Sequence, residues 1–410
     1  MALDSEEFQN RRLQRQQRRK EKKRRKIVIF VSILVVLAIA IALIVILLGM
    51  RSGGEDTAQT TIETTAPPTT VIHLAAAGDL NATAGVINSG GAGYDYTQTF
   101  LDVAPILAEA DLTVLNFEGN LFGQPYGADF SAPQSLMEDL KEIGVDMVQL
   151  ANSFSIYKGM EGLAATVNGV RSAGLTPLGA YATADEAKAG KGYTIQEVDG
   201  IKIAFVAFTK GMDGMALPAG SESCVNVLYS DYASTYQTVD EEGITEVLDR
   251  AKKEKPDLIV ALLHWGSEYN DTISTSQEKI TKLMQAQGVD AIIGTHSHFV
   301  QKMELNAETG QFVAYSLGDF ISEGQRSGTE YSVILDLEIT KNLQTGDTKI
   351  TNYTYTPIFS AHEEGRPLRV VRLETAMDAY EDGYIDRITK ESFDAMTYAL
   401  ERIEARIAGE

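Results

Sequence analysis

The sequence is poor in the residues that build covalent or sulfur-based sites. It has a single cysteine, Cys224, so no disulfide can form within the chain and a zinc site made of cysteines is excluded. A lone cysteine of this kind is most simply interpreted as a small buried thiol. The chain also has only five histidines in 410 residues, so a site built from several imidazoles must gather most of them.

Basic residues are scarce outside the N-terminal segment. Residues 1–51 contain 12 Lys and Arg against 4 Asp and Glu, a formal charge of +8, and the whole chain carries −21, which leaves −29 for residues 52–410. A domain this acidic repels the phosphates of nucleic acid, so we expect no nucleic-acid partner. It is suited instead to binding metal ions or cationic partners.

The N-terminal segment indicates a membrane anchor. Residues 11–26 form a basic block, and residues 27–49 are an uncharged, apolar stretch in which Ser32 is the only clearly polar member. A helix of that length spans about 35 Å, enough to cross the hydrocarbon core of a bilayer. A cleaved signal peptide would have a shorter apolar core, with small residues after it, whereas Ala38 and Ala40 lie inside this stretch.

We therefore predict five segments and a single-pass protein of the cell membrane. A basic tail (1–26) stays in the cytoplasm, a transmembrane signal anchor (27–49) follows, and a Thr- and Pro-rich linker (50–70) leads to an extracellular domain (71–365) and a C-terminal helical segment (366–410). The basic block could also be a nucleic-acid tail. Its position beside the apolar stretch favours a role in setting the orientation of the membrane anchor and in contacting anionic lipids of the bilayer.

Strand-like and helix-like stretches alternate along the domain, which predicts an α/β layered fold. Residues 97–110 are predicted as a helix, residues 312–317 as a strand, and residues 331–339 and 349–358 as an antiparallel hairpin. Residues 375–408 are predicted as one or two amphipathic helices.

Polar side chains capable of binding a metal follow several of these strands, and this repetition is the strongest functional signal in the sequence. Open α/β sheets bind ligands at the carboxyl ends of their strands. The residues found there are Asp79, Glu118, Asn152, His264, His296 and His298. Taken singly, the two histidines of the THSH motif could be solvated loop residues, and each acid could be a helix cap or a surface charge. Their shared position at strand ends favours one common site.

The predicted ligands are a mixture of carboxylate oxygen, amide oxygen and imidazole nitrogen. This mixture suits Mn²⁺, Zn²⁺ or iron better than Ca²⁺ or Mg²⁺ alone. A carboxylate between two such ions can bridge them, so we expect one or two divalent metal ions. Asn81, two residues after Asp79, is interpreted as a turn residue, with an additional oxygen ligand as the alternative. No other cofactor is expected.

The motifs AAGDL, LNFEGNL, FSAP (Phe130–Pro133), GVDMVQLAN, GLAAT, HWGSEY, GVDAIIGTHSH and YSLGDF occur in this order between about residue 72 and about residue 325. In combination they resemble the capsule-synthesis CapA family, of the poly-γ-glutamate biosynthesis type, which is related to calcineurin-like metallophosphatases. The resemblance implies a four-layer α/β/β/α metallophosphatase-like sandwich. It also implies a membrane-anchored protein of capsule or free-polymer assembly, working beside membrane-bound polymer synthase or export subunits on an anionic polymer.

Carried over by position, the resemblance makes Asp79 the first metal ligand, Glu118 the bridging acid, Asn152 the amide ligand, and His264, His296 and His298 the imidazole ligands. The sequence departs from the family at Phe154, where the family has histidine, at Tyr157, where it has aspartate, and at Asp319, where asparagine is common. In related phosphatases that histidine helps the leaving group depart, and such proton transfer is commonly worth about 10²–10⁴-fold in rate. Phenylalanine cannot donate a proton, which leaves Tyr157 as a weak candidate donor.

Three functions follow from these observations. The first is an extracellular accessory protein in the synthesis or export of an anionic polymer. The second is a surface hydrolase that uses a metal ion to activate water against a phosphoester or the amide bond of the polymer. The third is a non-catalytic scaffold that has kept the ligands.

Overall fold

The computed structural model describes residues 67–384 and 388–410. The predicted basic tail, the predicted transmembrane segment and most of the predicted linker lie outside the described residues, so all three stay predictions. Within the described ranges, no helix combines the length and the apolar composition that crossing a bilayer requires.

Fourteen strands are found in this part of the chain. They are β1 (Thr69–Asn81), β2 (Leu112–Glu118), β3 (Met147–Gln149), β4 (Thr176–Leu178), β5 (Tyr193–Val198), β6 (Ile201–Thr209), β7 (Leu258–His264), β8 (Ala291–Thr295), β9 (Met303–Leu305), β10 (Phe312–Ala314), β11 (Asp319–Ile321), β12 (Tyr331–Asn342), β13 (Thr348–Ala361) and β14 (Arg369–Arg372).

The strands form two mixed sheets. The first has the order β14-β13-β12-β1-β2-β3-β4, with β11 also paired to β1, and the second has the order β5-β6-β7-β8-β10-β9. Strands β1 to β4 are mutually parallel, as are β6, β7, β8 and β10, whereas β12, β13 and β14 are antiparallel. In each sheet the carboxyl ends of the parallel strands therefore lie at one common edge.

Helices cover the outer faces of both sheets, and the two C-terminal helices also contribute to the core between the sheets. The helices are α1 (Ala84–Asn88), α2 (Thr97–Phe100), α3 (Ala104–Leu107), α4 (Gln134–Glu142), α5 (Gly159–Ser172), α6 (Ala184–Gly190), α7 (Glu241–Lys252), α8 (Thr275–Ala286), α9 (Leu373–Glu381) and α10 (Lys390–Ala408). Local sequence fixes several ends: Ser274 and Gln277 form a reciprocal capping box at the start of α8.

Three apolar clusters show that the domain has four layers. Alternate residues of β1, such as Leu74, pack between the sheets against Phe205 and Leu262. The other face of the first sheet packs against α1 to α5, and the outer face of the second sheet packs against α7 and α8. This is the α/β/β/α arrangement that the resemblance to the CapA family implied.

An aspartate precedes each of four parallel strands and fixes the strand beside it. Asp111, Asp146, Asp257 and Asp290 stand directly before β2, β3, β7 and β8. Their carboxylates accept the backbone N–H of His73, Thr113, Lys202 and Ile259, each in the neighbouring strand, at 2.7, 3.0, 2.7 and 2.8 Å. These bonds satisfy donors at the amino edge of the sheets and help to set the register.

The structure differs from the predicted elements at three places. The predicted strand 312–317 is shorter in the structure, where β10 ends at Ala314. The chain then turns at the left-handed Gly318 (φ 80°) and enters β11, which belongs to the other sheet. The predicted helix 97–110 is two short helices, α2 and α3, separated by residues 101–103. The segment 366–410 begins with β14 before its two helices, and Met396 and Ile403 of α10 belong to the core between the sheets.

We expect Asp290→Asn to change how stability depends on pH. Burial raises the pKa of Asp290 to about 6, above its ordinary value of 3.8. A raised folded-state pKa adds stability below the unfolded pKa and removes it as the pH rises through about 6. The amide of the variant still accepts the backbone N–H of Ile259 but carries no charge. The free energy of unfolding of the variant, relative to that of the wild type, should therefore rise by about 1–2 kcal/mol between pH 4.5 and pH 7.5.

Urea unfolding of both proteins at the two pH values measures this gain. An equal difference between variant and wild type at both values would contradict the expectation.

Candidate metal centre

The carboxyl ends of the parallel strands in both sheets carry the predicted ligands. Asp79 lies near the end of β1, Glu118 is the last residue of β2, and His264 is the last residue of β7. His296 and His298 follow β8 directly. Residues far apart in the sequence are thus placed at one edge of the fold, where α/β sheets bind ligands.

Glu118, His264 and His296 form the first group that could hold a metal ion. Each offers a ligand atom, and these atoms all lie within 4.8 Å of one another. Nδ1 of His264 is 3.3 Å from Oε1 of Glu118, and the rings of His264 and His296 have centroids 4.3 Å apart. All three side chains are buried.

Asp79, His298 and Asp319 form the second group, again with ligand atoms within 4.8 Å of one another. Nδ1 of His298 is 2.7 Å from Oδ1 of Asp319. The two groups are adjacent, because Oδ2 of Asp79 accepts the backbone N–H of His296 at 2.9 Å. They are therefore two halves of one buried centre.

Glycine permits the close backbone approach that brings these groups together. A Cβ atom at Gly78 would lie 1.8 Å from the carbonyl oxygen of Gly318, and one at Gly294 would lie 2.0 Å from that of Tyr315. The first approach pairs β1 with β11 and sets Asp79 opposite Asp319 in register. A side chain at either glycine would push the site apart.

His296 provides the direct test of whether the residues fit a metal ion. Its two ring nitrogens, Nδ1 and Nε2, are both buried and have no hydrogen-bond partner among the described residues. A buried polar atom without a partner costs about 1–3 kcal/mol. A divalent cation would bind such a nitrogen, and carboxylate oxygen with imidazole nitrogen is a donor set for Zn²⁺, Mn²⁺ or iron. The residues present fit a divalent metal ion.

The backbone of both loop histidines is strained. His296 and His298 have φ values of 88° and 61°, in the left-handed region that residues with a Cβ rarely adopt. Each such residue costs of the order of 1–3 kcal/mol and is typical of functional sites. The strain turns both imidazoles toward the centre.

Burial also shifts the ionisation of the ligands. It raises the pKa of Asp79 to about 6, and raises the pKa of Glu118 well above its usual range. It lowers the pKa of His264 and of His296, so both rings stay neutral, the form that binds metals. Burial opposes protonation of His298, but the facing carboxylates of Asp319, Glu118 and Asp79 outweigh it and raise its pKa to about 11. A positive charge near these buried carboxylates would therefore stabilise the centre.

Asn116 is a member of the centre that the sequence analysis missed. Its Nδ2 donates to Oδ1 of Asp79 at 2.6 Å and to Oε1 of Glu118 at 3.2 Å, which holds both carboxylates in place. The signal was its position two residues before Glu118, on the same face of β2. Asp319 was noted only as a departure from the family. Its Gly-Asp dipeptide repeats that of Gly78-Asp79 and could have identified it.

Asn152, predicted as an amide ligand, lies behind Asn116. Its Nδ2 donates to Oδ1 of Asn116 at 3.0 Å and to the carbonyl of Phe117 at 2.6 Å, and its Oδ1 accepts the backbone N–H of Phe154 at 3.0 Å. In this arrangement Asn152 orients Asn116, and its role as a metal ligand stays a prediction. Asn81, at the end of β1, contacts Asp319 weakly at 3.5 Å.

Aromatic rings stand where the family has its histidine. Phe154 packs on Phe130 with ring centroids 4.1 Å apart, and Tyr157 meets both rings at 5.6 and 5.7 Å. A cavity of about 220 Å³ opens over the site and is lined by Phe130 and Phe154 together with Glu118, His298 and Asp319, but not by Tyr157. Tyr157 as a proton donor stays a prediction. A larger cavity of about 400 Å³ lies at α6 and α7 and includes none of the predicted ligands.

The C-terminal helix supports the loop of the two histidines. The guanidinium of Arg406, on α10, lies 4.5 Å from the ring centroid of Phe299, the residue after His298. The same guanidinium pairs with Asp271 at 3.3 Å, in the loop that follows β7. Arg406 is buried, so α10 packs as part of the domain beneath the site.

We expect the full-length protein to bind a divalent metal ion and His296→Ala to weaken that binding at least about tenfold, because the variant loses the two unpartnered nitrogens. Metal content after dialysis, measured by mass spectrometry, and the metal-induced rise in melting temperature report the change. Ligand at a hundred times its Kd stabilises a protein by about 2.7 kcal/mol.

His362→Ala is the matched control, because His362 is exposed and belongs to neither group. Wild-type protein that neither retains nor is stabilised by Mn²⁺, Zn²⁺ or Fe²⁺ would rule out the metal centre.

The chain matches the family model described as bacterial capsule synthesis protein PGA_cap over residues 73–324, which is more than half of its length. It is 26% identical over 299 residues to the capsule biosynthesis protein CapA of Bacillus anthracis, a match covering 70% of this chain and 69% of the relative. It is 27% identical over 258 residues to the PGA biosynthesis protein CapA of Bacillus subtilis (strain 168), covering 62% and 63%. The resemblance to CapA is confirmed.

Solved structures resemble the chain more distantly. The calcineurin-like phosphoesterase YfkN from Bacillus subtilis has a TM-score of 0.43 and 16% identity, and the match covers 81% of this chain and 100% of that one. A phosphatase from Mycoplasma pneumoniae has a TM-score of 0.42 and 15% identity, covering 71% and 95%. The family assignment does not depend on these low scores; it follows from the match to more than half of the chain. The chain belongs to the bacterial capsule synthesis PGA_cap family.

Proposed function

We propose that the chain is an accessory protein in the synthesis or export of an extracellular anionic polymer, and that it acts through a divalent metal centre. Membership of the capsule synthesis family supports the choice of polymer synthesis or export as the process. The observation that carries the metal centre is His296. Its two buried ring nitrogens have no hydrogen-bond partner among the residues that the structure describes, and its ring lies beside the ligand atoms of Glu118 and His264.

The proposed location is the outer face of the cell membrane. The basic block and the apolar stretch of residues 27–49 support a single-pass anchor with the domain outside. Membrane-bound polymer synthase or export subunits are the proposed partners, since an anchored domain would meet them at the bilayer surface.

The residues of the centre have different proposed roles. Glu118, His264 and His296 would hold one ion, and Asp79, His298 and Asp319 would hold a second. A bound divalent ion neutralises anionic oxygens and lowers the pKa of water toward about 7. Asn116 holds Asp79 and Glu118 in position, and the ring of Phe154 closes one wall of the cavity without a group that can donate a proton.

Hydrolysis of a phosphoester or of the polymer amide bond is the alternative function. The cavity of about 220 Å³ favours it, because a reacting group could enter there and meet Glu118, His298 and Asp319. The absence of an imidazole at position 154 opposes it, since proton delivery is commonly worth about 10²–10⁴-fold.

Complementation of a deletion strain tests the proposed function. We expect wild-type protein and His362→Ala to restore the surface polymer, and His296→Ala to restore less than about a tenth of it although it accumulates normally in the membrane. The polymer is quantified on washed cells. Full restoration by His296→Ala would refute the role of the metal centre and leave only a scaffold.

Assays on a generic phosphodiester separate the alternative. If the chain is a hydrolase, metal-loaded protein should cleave bis(p-nitrophenyl) phosphate, and His264→Ala should lower kcat/KM at least about a hundredfold, with His362→Ala unchanged. Activity that survives His264→Ala would come from a contaminant, and lack of any cleavage would leave the accessory role.

A further inference from the structure

A stack of three side chains leads from the metal centre to the rim of the cavity. The ring of Tyr269 lies on the imidazole of His298, with centroids 4.9 Å apart and planes at 22°. The guanidinium of Arg326 lies 4.1 Å from the centroid of the same tyrosine ring. One face of a phenol ring has room for one stacked planar group, so Arg326 and His298 lie on opposite faces.

The loop backbone fixes this stack. The backbone N–H of Tyr269 donates to the carbonyl of Ser297 at 2.8 Å. The carbonyl of Arg326 accepts from the backbone N–H and the hydroxyl of Thr329, at 3.1 and 2.9 Å, which closes a turn. Both the ring and the arginine backbone are therefore held beside the site.

Arg326 differs from most arginines of the domain because its charge has no partner. Its guanidinium makes no hydrogen bond or ion pair within the described part of the chain, and the residue is exposed. The arginines that do pair with a carboxylate are Arg171, Arg250, Arg366, Arg369, Arg402 and Arg406. Residues 52–410 carry a formal charge of −29. Among them, an arginine that is held by stacking and has no carboxylate partner in the described part of the chain is available to a ligand.

The cavity beside Arg326 reaches the metal centre. Gln325 and Thr329, on either side of it in the loop, line the cavity together with Tyr269, His298 and Asp319. Glu268 and Glu323 line it as well, so an anion would be repelled there without a nearby positive charge. From its place on Tyr269, Arg326 adds a positive charge to that of His298, and its planar fork matches the two oxygens of a phosphate or a carboxylate.

We propose that Arg326, held on Tyr269, binds an oxyanion group of the ligand whose other end reaches the metal centre. This inference rests on the proposed function for the metal centre. It predicts a ligand with two anionic groups, one at the metal centre and a second, a phosphate or a carboxylate, at Arg326. Arg326 is thus a binding residue for the proposed anionic polymer.

Chemical modification tests the site directly. Full-length protein in a neutral detergent is treated with phenylglyoxal, which reacts with free guanidinium groups, and the modified peptides are quantified by mass spectrometry. Inorganic phosphate or glutarate at saturating concentration should slow modification of Arg326 about tenfold, at constant ionic strength. Modification of Arg171 should change less than about twofold, since it already pairs with Glu186. The two probes distinguish a phosphate ligand from a carboxylate ligand.

Equilibrium dialysis of the same probes tests the residue by substitution. We expect Arg326→Gln to weaken binding about tenfold, Arg326→Lys to weaken it less because the charge remains, and Arg171→Gln to leave it unchanged. Arg171 is the control because it ends α5, at the amino edge of the first sheet.

Absence of protection by both probes, or equal losses in Arg326→Gln and Arg171→Gln, would overturn the proposal. Metal content is measured on every variant, so a failure of the metal centre is seen separately from a failure of the oxyanion site. Protection of Arg326 in protein stripped of metal would still support its role.

Discussion

Three carboxylates and three imidazoles are buried in one small volume, and the need to balance their charge governs this part of the molecule. Asp79, Glu118 and Asp319 are each at most 5% exposed. Ionised carboxylates so close together and so far from water are unfavourable without positive charge nearby. His298 supplies part of that charge. A divalent cation would supply the rest and would also give one ring nitrogen of His296 the partner that it lacks among the described residues.

The scaffold around the centre is built to hold this unfavourable arrangement. Two residues, His296 and His298, keep a left-handed backbone, and Gly78 and Gly294 allow strands to approach at distances that no side chain would permit. Four layers with a continuous apolar core between the sheets supply the stability that such a site requires. At the opposite edge, the aspartates before the strands make ordinary hydrogen bonds.

Phe154 distinguishes between two possible functions of the metal centre, hydrolysis and the binding of an anionic polymer. A hydrolase needs a group that delivers a proton to the leaving group, and an aromatic wall of Phe130 and Phe154 stands at that side of the cavity. Holding an anionic chain needs only positive charge, from a metal ion and from Arg326 on its tyrosine platform. An accessory protein that handles a polymer while other subunits make and move it uses every one of these features without a proton donor.

The sequence by itself determined the α/β fold class and the positions of five of the six residues in the two groups, because each of the five follows a recognisable apolar strand. Local patterns were enough for this, since strand ends are marked by the residues around them. The four layers were implied by the resemblance to the CapA family. The tertiary structure decided what the patterns could not. It ended β10 at Ala314 and brought Asp319, in the other sheet, opposite Asp79. It also placed Asn152 behind Asn116 and Arg326 beside His298 through Tyr269. These relations join residues tens to hundreds of positions apart, and only the packing of one sheet on the other sets the distances between them.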